Sequence, residues 1–467
     1  MPKESKTVTV DKIRKIVNTP GASLHFIGIG GVSMHSLAAL ALKKGARITG
    51  SDVVESKRTR ELSALGANIG IGHSGSLIYG TSLVVYSHAI SEYNQELLTA
   101  RTLGIPTVSR AELLGAVMLD YGNKIGVSGS HGKSSTVAML DAIFSLAGRY
   151  PTVLSGANLT HGCPYKIGEK DHLIYEACEY KDSFLRFCPD VFVGLNLELD
   201  HPDYFKSLAD LRESFGKAMN RASGFLVINS DDEQLMRVVR TARKRVVTYG
   251  QGDRAIYRYR IIEFRRGGFS FVLMKNGEKR GRFELNIPGI FNVSNAVAAI
   301  VTALECGIDV DTARQAIAEY RGIDERIQLV GEHLGRPVYY DYAHHPTEIA
   351  ATVNALKMQT HDQITVVFKP HTYSRTQSLW EDFRRALSLA DFVIMTDIYP
   401  AREAPIAGVS ARRLAQEIGE FAHFCEDGEV VGTIDASTHG AIVIMGAGGL
   451  ENIRADLEIR EPKNSEG

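Results

Sequence analysis

Short apolar runs rich in Val and Ile alternate with stretches of helical period along most of the chain. That alternation is the signature of parallel sheets covered by helices. The first unit reads SLHFIGIGG, then VSMHSLAALALKKG, then ARITGSD: strand, glycine turn, helix, strand. A second begins at KIGVSGSHGKSS and runs into the helical segment TVAMLDAIFSLAG. A third holds PVYYDYAHH, QITVVFKPH, DFVIMTDIYP and AIVIMGAGG, again strands followed by helical segments. One region breaks the pattern. Between Ala255 and Leu285, the runs IYRYRIIEF and FSFVLM and the dipeptide Asn276-Gly277 predict antiparallel hairpins. The expected fold is therefore α/β in three domains, the central one with a phosphate loop and a small antiparallel sheet. Boundaries are expected near Gly122 and Arg326, giving 1–122, 123–326 and 327–467.

Length agrees, since 467 residues suggests about three domains. Net charge is −1 and no Lys/Arg-rich run is present, so a nucleic-acid partner is disfavoured. Any anionic ligand must then be met by locally concentrated positive charge. The five cysteines lack CxxC spacing and are odd in number, which argues against a disulfide framework or a zinc site and fits a reducing compartment. The start is polar without a signal-like apolar core, and no stretch is long enough to span a bilayer. The expectation is a soluble cytoplasmic protein.

Three kinds of chemistry stand out. The turn Gly28-Ile29-Gly30-Gly31-Val32-Ser33 approximates a dinucleotide fingerprint, with Ser33 where the third glycine belongs. Such glycines let the backbone approach a diphosphate at the following helix N-terminus. Asp52 closes the next strand, where a carboxylate could accept hydrogen bonds from a ribose. A tight turn without a ligand remains the alternative. The loop Gly129-Ser130-His131-Gly132-Lys133-Ser134-Ser135 is more specific: it follows an apolar strand and opens a helix, although Val127 sits where the general phosphate loop has its first glycine. Its amides can cradle phosphates, Lys133 can bridge the terminal ones, and the Ser134 hydroxyl can hold Mg²⁺.

Strand ends downstream carry the remaining candidates. Glu176 lies in LIYEACEY, and Asp200-His201 follows VFVGLNLEL, both at carboxyl ends where open sheets present ligand groups. Asn292 and Asn295 open the helix FNVSNAVAAI, with Asn292 readable either as an N-cap or as a ligand group. Arg326 follows a helix and is either a surface arginine or a clamp on a γ-phosphate. Asp341 to Glu348 packs titratable groups onto one strand end, and His371, Tyr373 and Arg375 end the next.

Taken in order, GIGG, GSHGKSST, EACE, LDH, FNVSN, DYAHHPTE and KPHTYSRT resemble the motifs of the Mur ligases of peptidoglycan synthesis, from about Leu24 to Gly449. The resemblance implies Rossmann-like first and third domains around a central P-loop ATPase. It also implies ATP-dependent joining of L-alanine to the carboxylate of UDP-N-acetylmuramate through an acyl phosphate, with ATP and Mg²⁺ as cofactors and a monomer or homodimer in the bacterial cytoplasm. A sister ligase that attaches a murein peptide to the same nucleotide sugar is the near alternative. A nicotinamide-dependent oxidoreductase, suggested by the first glycine loop alone, is the remote one. By motif matching, Lys133 would hold the ATP phosphates, and Ser134, Glu176 and His201 would serve Mg²⁺. Asn292 and Asn295 would face adenine, Arg326 the γ-phosphate and Asp341 the ribose. Tyr342, His344, His371 and Arg375 would lie near the amino acid. Gly28, Gly30, Gly31, Ser33, Asp52, Ser87 and His88 would lie near the UDP part. Cys178, Ala343 and Thr372 depart from the commoner Asp, Gly and Arg.

Overall fold

The computed structural model describes residues 8–460, apart from positions 266, 361, 402, 438 and 439. The chain divides into two compact units, Met1–Leu197 with Leu211–Thr248, and Glu198–Asp210 with Tyr249–Gly467. Among the described residues no helix is long and apolar enough to cross a membrane.

The first unit opens with β1 (Ser23–Ile27), β2 (Arg47–Asp52), β3 (Asn68–Ile71), β4 (Leu83–Tyr86) and β5 (Thr107–Ser109). They form one parallel sheet in the order β3-β2-β1-β4-β5. Leu24, Phe26, Ile27, Val84 and Val85 are buried, as near-continuous apolar runs covered on both faces should be. The strand order reverses between β1 and β4, so the crevice beyond their carboxyl ends is where such a sheet admits a ligand.

The same unit continues through β6 (Asn123–Ser128), β7 (Pro151–Leu154), β8 (Tyr165–Lys166), β9 (Glu169–Glu176), β10 (Val191–Gly194) and β11 (Phe225–Asn229). Here β6 is central, flanked in parallel by β9 and β10. The carboxyl ends of all three face one edge.

In the second unit, the end of β12 (Arg245–Gly250) pairs in parallel with β13 (Tyr257–Arg265). Then β14 (Gly268–Lys275) and β15 (Glu278–Leu285) complete the expected antiparallel meander. Asn276 and Gly277 both take positive φ, 50° and 87°, as the tight hairpin requires. The last sheet contains β16 (Gln328–His333), β17 (Arg336–Asp341), β18 (Ile364–Phe368), β19 (Phe392–Met395), β20 (Ala422–Phe424) and β21 (Ala441–Met445). Its order is β16-β17-β21-β18-β19-β20, with only β16 antiparallel. One face buries Val366, Phe368 and Val443 and the other Val367, Ile442 and Ile444, the period of two that puts alternate side chains on opposite faces.

Candidate active site

The phosphate loop takes its shape from β6 and from the neighbouring strand end. Gly129 adopts φ 151° and a Cβ there would lie 3.0 Å from that of Leu195, so the close approach requires glycine. Gly132, at φ 84°, caps the helix Lys133–Leu146. Asn196, just beyond β10, braces the turn. Its side-chain carbonyl accepts from the His131 amide at 2.8 Å, its amide donates to the His131 carbonyl at 3.0 Å, and its main-chain carbonyl accepts from Ser130 N–H at 3.3 Å. The amides of Ser130 and His131 are thereby engaged within the protein. The amides of Lys133, Ser134 and Ser135 are those left without intrahelical partners at the helix start, where the positive end of the dipole meets an anion.

Lys133 Nζ donates to the carbonyls of Gly129 and Ser130 and pairs with both oxygens of the buried Glu179 at 3.3 Å. Burial opposes its charge, but the carboxylate of Glu179, helped by Glu176, outweighs it and raises the lysine above its ordinary pKa. Cys178, between these groups, has its thiol pushed up to about 11 by burial and by Glu179, so it is neutral at pH 7. Glu176 Oε1 accepts from the Gly156 amide at 2.5 Å and from the Ser155 hydroxyl at 3.2 Å. That leaves Oε2, and the hydroxyl of Ser134, without a hydrogen bond among the described residues. Both are hard oxygen donors of the kind Mg²⁺ takes.

At the first sheet, Gly28 has φ 76° and a Cβ on it would meet Ile90 at 3.3 Å, so the segment after β4 that carries Ser87 and His88 folds over the glycine turn. Burial first, then the charges of Lys181 and Arg110, lower the His88 pKa. Asp52 Oδ2 accepts from the Gly30 amide at 2.8 Å and Oδ1 from the Val53 amide at 2.8 Å, so this carboxylate first shapes the loop; a ribose would use its remaining lone pairs.

The second unit brings together the clustered residues of β17 and β18. Arg326 sits between two non-glycine residues at positive φ, Glu325 at 56° and Ile327 at 48°. Such backbone persists only where the surroundings hold it. The Tyr342 amide donates to the Glu325 carbonyl at 2.8 Å and the Ile327 amide to Asp341 Oδ2 at 2.8 Å. The guanidinium lies 5.2 Å from the Tyr342 ring centroid and 4.0 Å from Glu348. Asp341 is itself buried and also accepts from the Ala343 amide at 2.7 Å. Burial pushes its pKa up to about 6. It is a brace for both loops before it is anything else.

His344 and His371 lie edge to face at 5.9 Å, and Arg375 Nη1 approaches His371 Nδ1 at 3.0 Å. Arg375 is buried and ion-paired to Asp200 at 2.9 Å. Burial opposes ionisation of Asp200, but Arg375, with His201 and His344, holds its carboxyl well below the usual range. His201, at φ 57°, donates its amide to Asp200 at 2.6 Å. Burial drives His344 down to about 4, so its imidazole is neutral at pH 7. In an NMR pH titration its ring signals should stay in the neutral form from pH 8 to 5, whereas an ordinary histidine titrates near 6.5. The sign for stability follows: between about 4 and 6.5 the unfolded chain binds the extra proton, so the His344 contribution is full above 6.5 and is lost as pH falls.

Asn292 corrects one expectation. The N-cap of the helix Phe291–Glu305 is Ile290, not Asn292, and Asn292 donates its side-chain amide to the Pro288 carbonyl at 2.8 Å while accepting from Asn295 at 3.2 Å. Proximity to the glycine turn at 289 places it inside the first helical turn, where it cannot cap. Glu179, Asn196 and Arg110 were absent from the sequence-based site. Glu179 was signalled only as the last letter of EACE, Asn196 only by its place after a strand, and Arg110 by nothing.

Three α/β sheets, one of them ending in a phosphate loop, define a nucleotide-binding protein of the doubly wound type. Family models for the Mur ligase family catalytic domain, middle domain and glutamate ligase domain match residues 23–121, 127–303 and 325–448. The UDP-N-acetylmuramate–L-alanine ligase of Alkaliphilus metalliredigens is 41% identical over 88% of this chain and 94% of its own length. That of Aquifex aeolicus is 39% identical over 91% and 95%. The crystal structure of the UDP-N-acetylmuramate-alanine ligase from Thermotoga maritima superposes with TM-score 0.80 at 27% identity, covering 93% of this chain and 97% of that one. The chain belongs to the Mur ligase family.

Proposed function

We propose that this chain joins L-alanine to the carboxylate of UDP-N-acetylmuramate at the expense of ATP, as a cytoplasmic step of peptidoglycan precursor synthesis. The observation that supports it most is the phosphate loop whose helix-start amides and Lys133 stand beside Glu176 with one carboxylate oxygen unengaged. The names carried by relatives about 40% identical supply the substrates.

A carboxylate resists amines because its charge repels them and its oxygen is a poor leaving group. One carboxylate oxygen attacks the γ-phosphorus, the bond to the bridging oxygen breaks, and ADP departs, leaving an acyl phosphate. The alanine nitrogen then attacks the carbonyl carbon, the C–O bond to phosphate breaks, and the surplus amine proton goes to solvent. Lys133 and the amides of Lys133, Ser134 and Ser135 stabilise charge on the transferring phosphoryl group. Mg²⁺, when bound, neutralises phosphate charge, and Glu176 and Ser134, with His201, would hold it. Arg326 is assigned to the γ-phosphate, Asn292 and Asn295 to adenine, and Asp341 to the ribose. Tyr342, His344, His371 and Arg375 are assigned to the amino acid, with His344 as a neutral hydrogen-bonding group.

Phosphate release from ATP with UDP-N-acetylmuramate, scanned over single amino acids and a murein tripeptide, tests this. Release is expected with L-alanine. Release with the tripeptide and not with L-alanine would replace it with the peptide-adding reaction, and none with any amine would end the proposal.

A further inference from the structure

Arg110 opens the helix Arg110–Val117 directly after β5. It lines a cavity of about 250 Å³ together with Ser33 and Ser36 of the glycine-loop helix and with Ser155, Glu176 and Cys178 beside the phosphate loop. Lys133 of the phosphate loop is already paired with Glu179. Arg110 makes no hydrogen bond or ion pair with any described residue, although it is more than half covered. Its nearest acid in sequence, Glu112, is taken by the helix cap, where it accepts from the Ser109 amide at 2.8 Å and the Ser109 hydroxyl at 2.9 Å. A cation in the first turn of a helix also adds to the positive end of the dipole. The position therefore favours an anion, and the protein supplies none within bonding distance.

Position narrows the choice of anion. A diphosphate sits at the start of the helix Val32–Lys43 if the glycine turn binds one, and the phosphoryl donor sits at Lys133. A sugar acid reaching from the first to the second passes through the cavity between them, with its carboxylate toward Glu176. We infer that Arg110 binds the carboxylate of the acid substrate before it is phosphorylated, an inference that rests on the function proposed above. A guanidinium can hold a carboxylate through a planar pair of N–H donors. Its charge also counters the repulsion that Glu176 would otherwise exert on the incoming anion.

Calorimetric titration of wild type, Arg110→Met and Arg110→Lys with UDP-N-acetylmuramate and with UDP-N-acetylglucosamine, which lacks the carboxylate, tests it. Arg110→Met should weaken the acid by about 10–100-fold, the worth of charge-assisted hydrogen bonds, and leave the neutral sugar within about twofold. Arg110→Lys should recover part of the loss, and the Michaelis constant for ATP should not move. Equal losses for both sugars would overturn the assignment by moving Arg110 to the diphosphate or the scaffold. No loss for the acid would overturn it alone, with the proposed function intact. Failure of the wild type to bind UDP-N-acetylmuramate would remove both.

Discussion

Lys133→Ala is expected to abolish ADP formation, with turnover falling by at least about a thousandfold, the scale seen when a preorganised charge on a transferring group is removed. The same change has a structural cost. Glu179 is 1% exposed and pairs with Lys133, so the variant leaves a buried carboxylate without its cation. Breaking such a pair from one side costs about 3–5 kcal/mol. Adding Glu179→Gln should therefore restore most of the lost stability and none of the turnover. Denaturant unfolding and phosphate release on the two variants separate the effects. Turnover that survives in the single variant would remove Lys133 from the mechanism.

Arg375→Met should produce the largest loss of stability in the second unit. Arg375 is 5% exposed and Asp200 6%, and three nitrogens of the arginine are engaged by Asp200 and His371. Truncating the arginine leaves Asp200 buried and charged, again a cost of about 3–5 kcal/mol. Arg375→Met with Asp200→Asn should recover a large part, because the uncompensated charge is gone. The double-mutant cycle, read from denaturant midpoints, should show coupling of about 2 kcal/mol or more, as neighbours in one network do. Additive losses would mean that the pair is not coupled. Since both groups lie beside His344 and His371, the single variant should also raise the Michaelis constant for the amino acid.

These two pairs show where reading the chain as a string succeeds and where it stops. Lys133 was singled out from its loop, because a glycine turn between an apolar strand and a helix is a local pattern. Glu179 was not, although it lies only three residues beyond Glu176, because nothing local says which acid of EACE faces the lysine. Arg375 was seen in KPHTYSRT as a group for the amino acid, yet its partner lies 175 positions earlier. The antiparallel region around Asn276-Gly277 was legible because its turn chemistry is carried by adjacent residues. The reading of Asn292 as an N-cap failed because the turn at Gly289 moves the start of the helix by a residue or two, a shift that composition does not record.

By itself, the order of apolar runs and glycine turns determined the α/β class, the three sheets' worth of strands and the phosphate loop, since each depends on contacts between neighbours in sequence. Tertiary structure alone decided which charges are paired and which are not. It set Asp52 and Asp341 to bracing loops, tied Asn196 to His131, and left Arg110 facing a cavity. Ion pairing and desolvation depend on distances between residues far apart in the chain, and strand order, not sequence proximity, sets those distances.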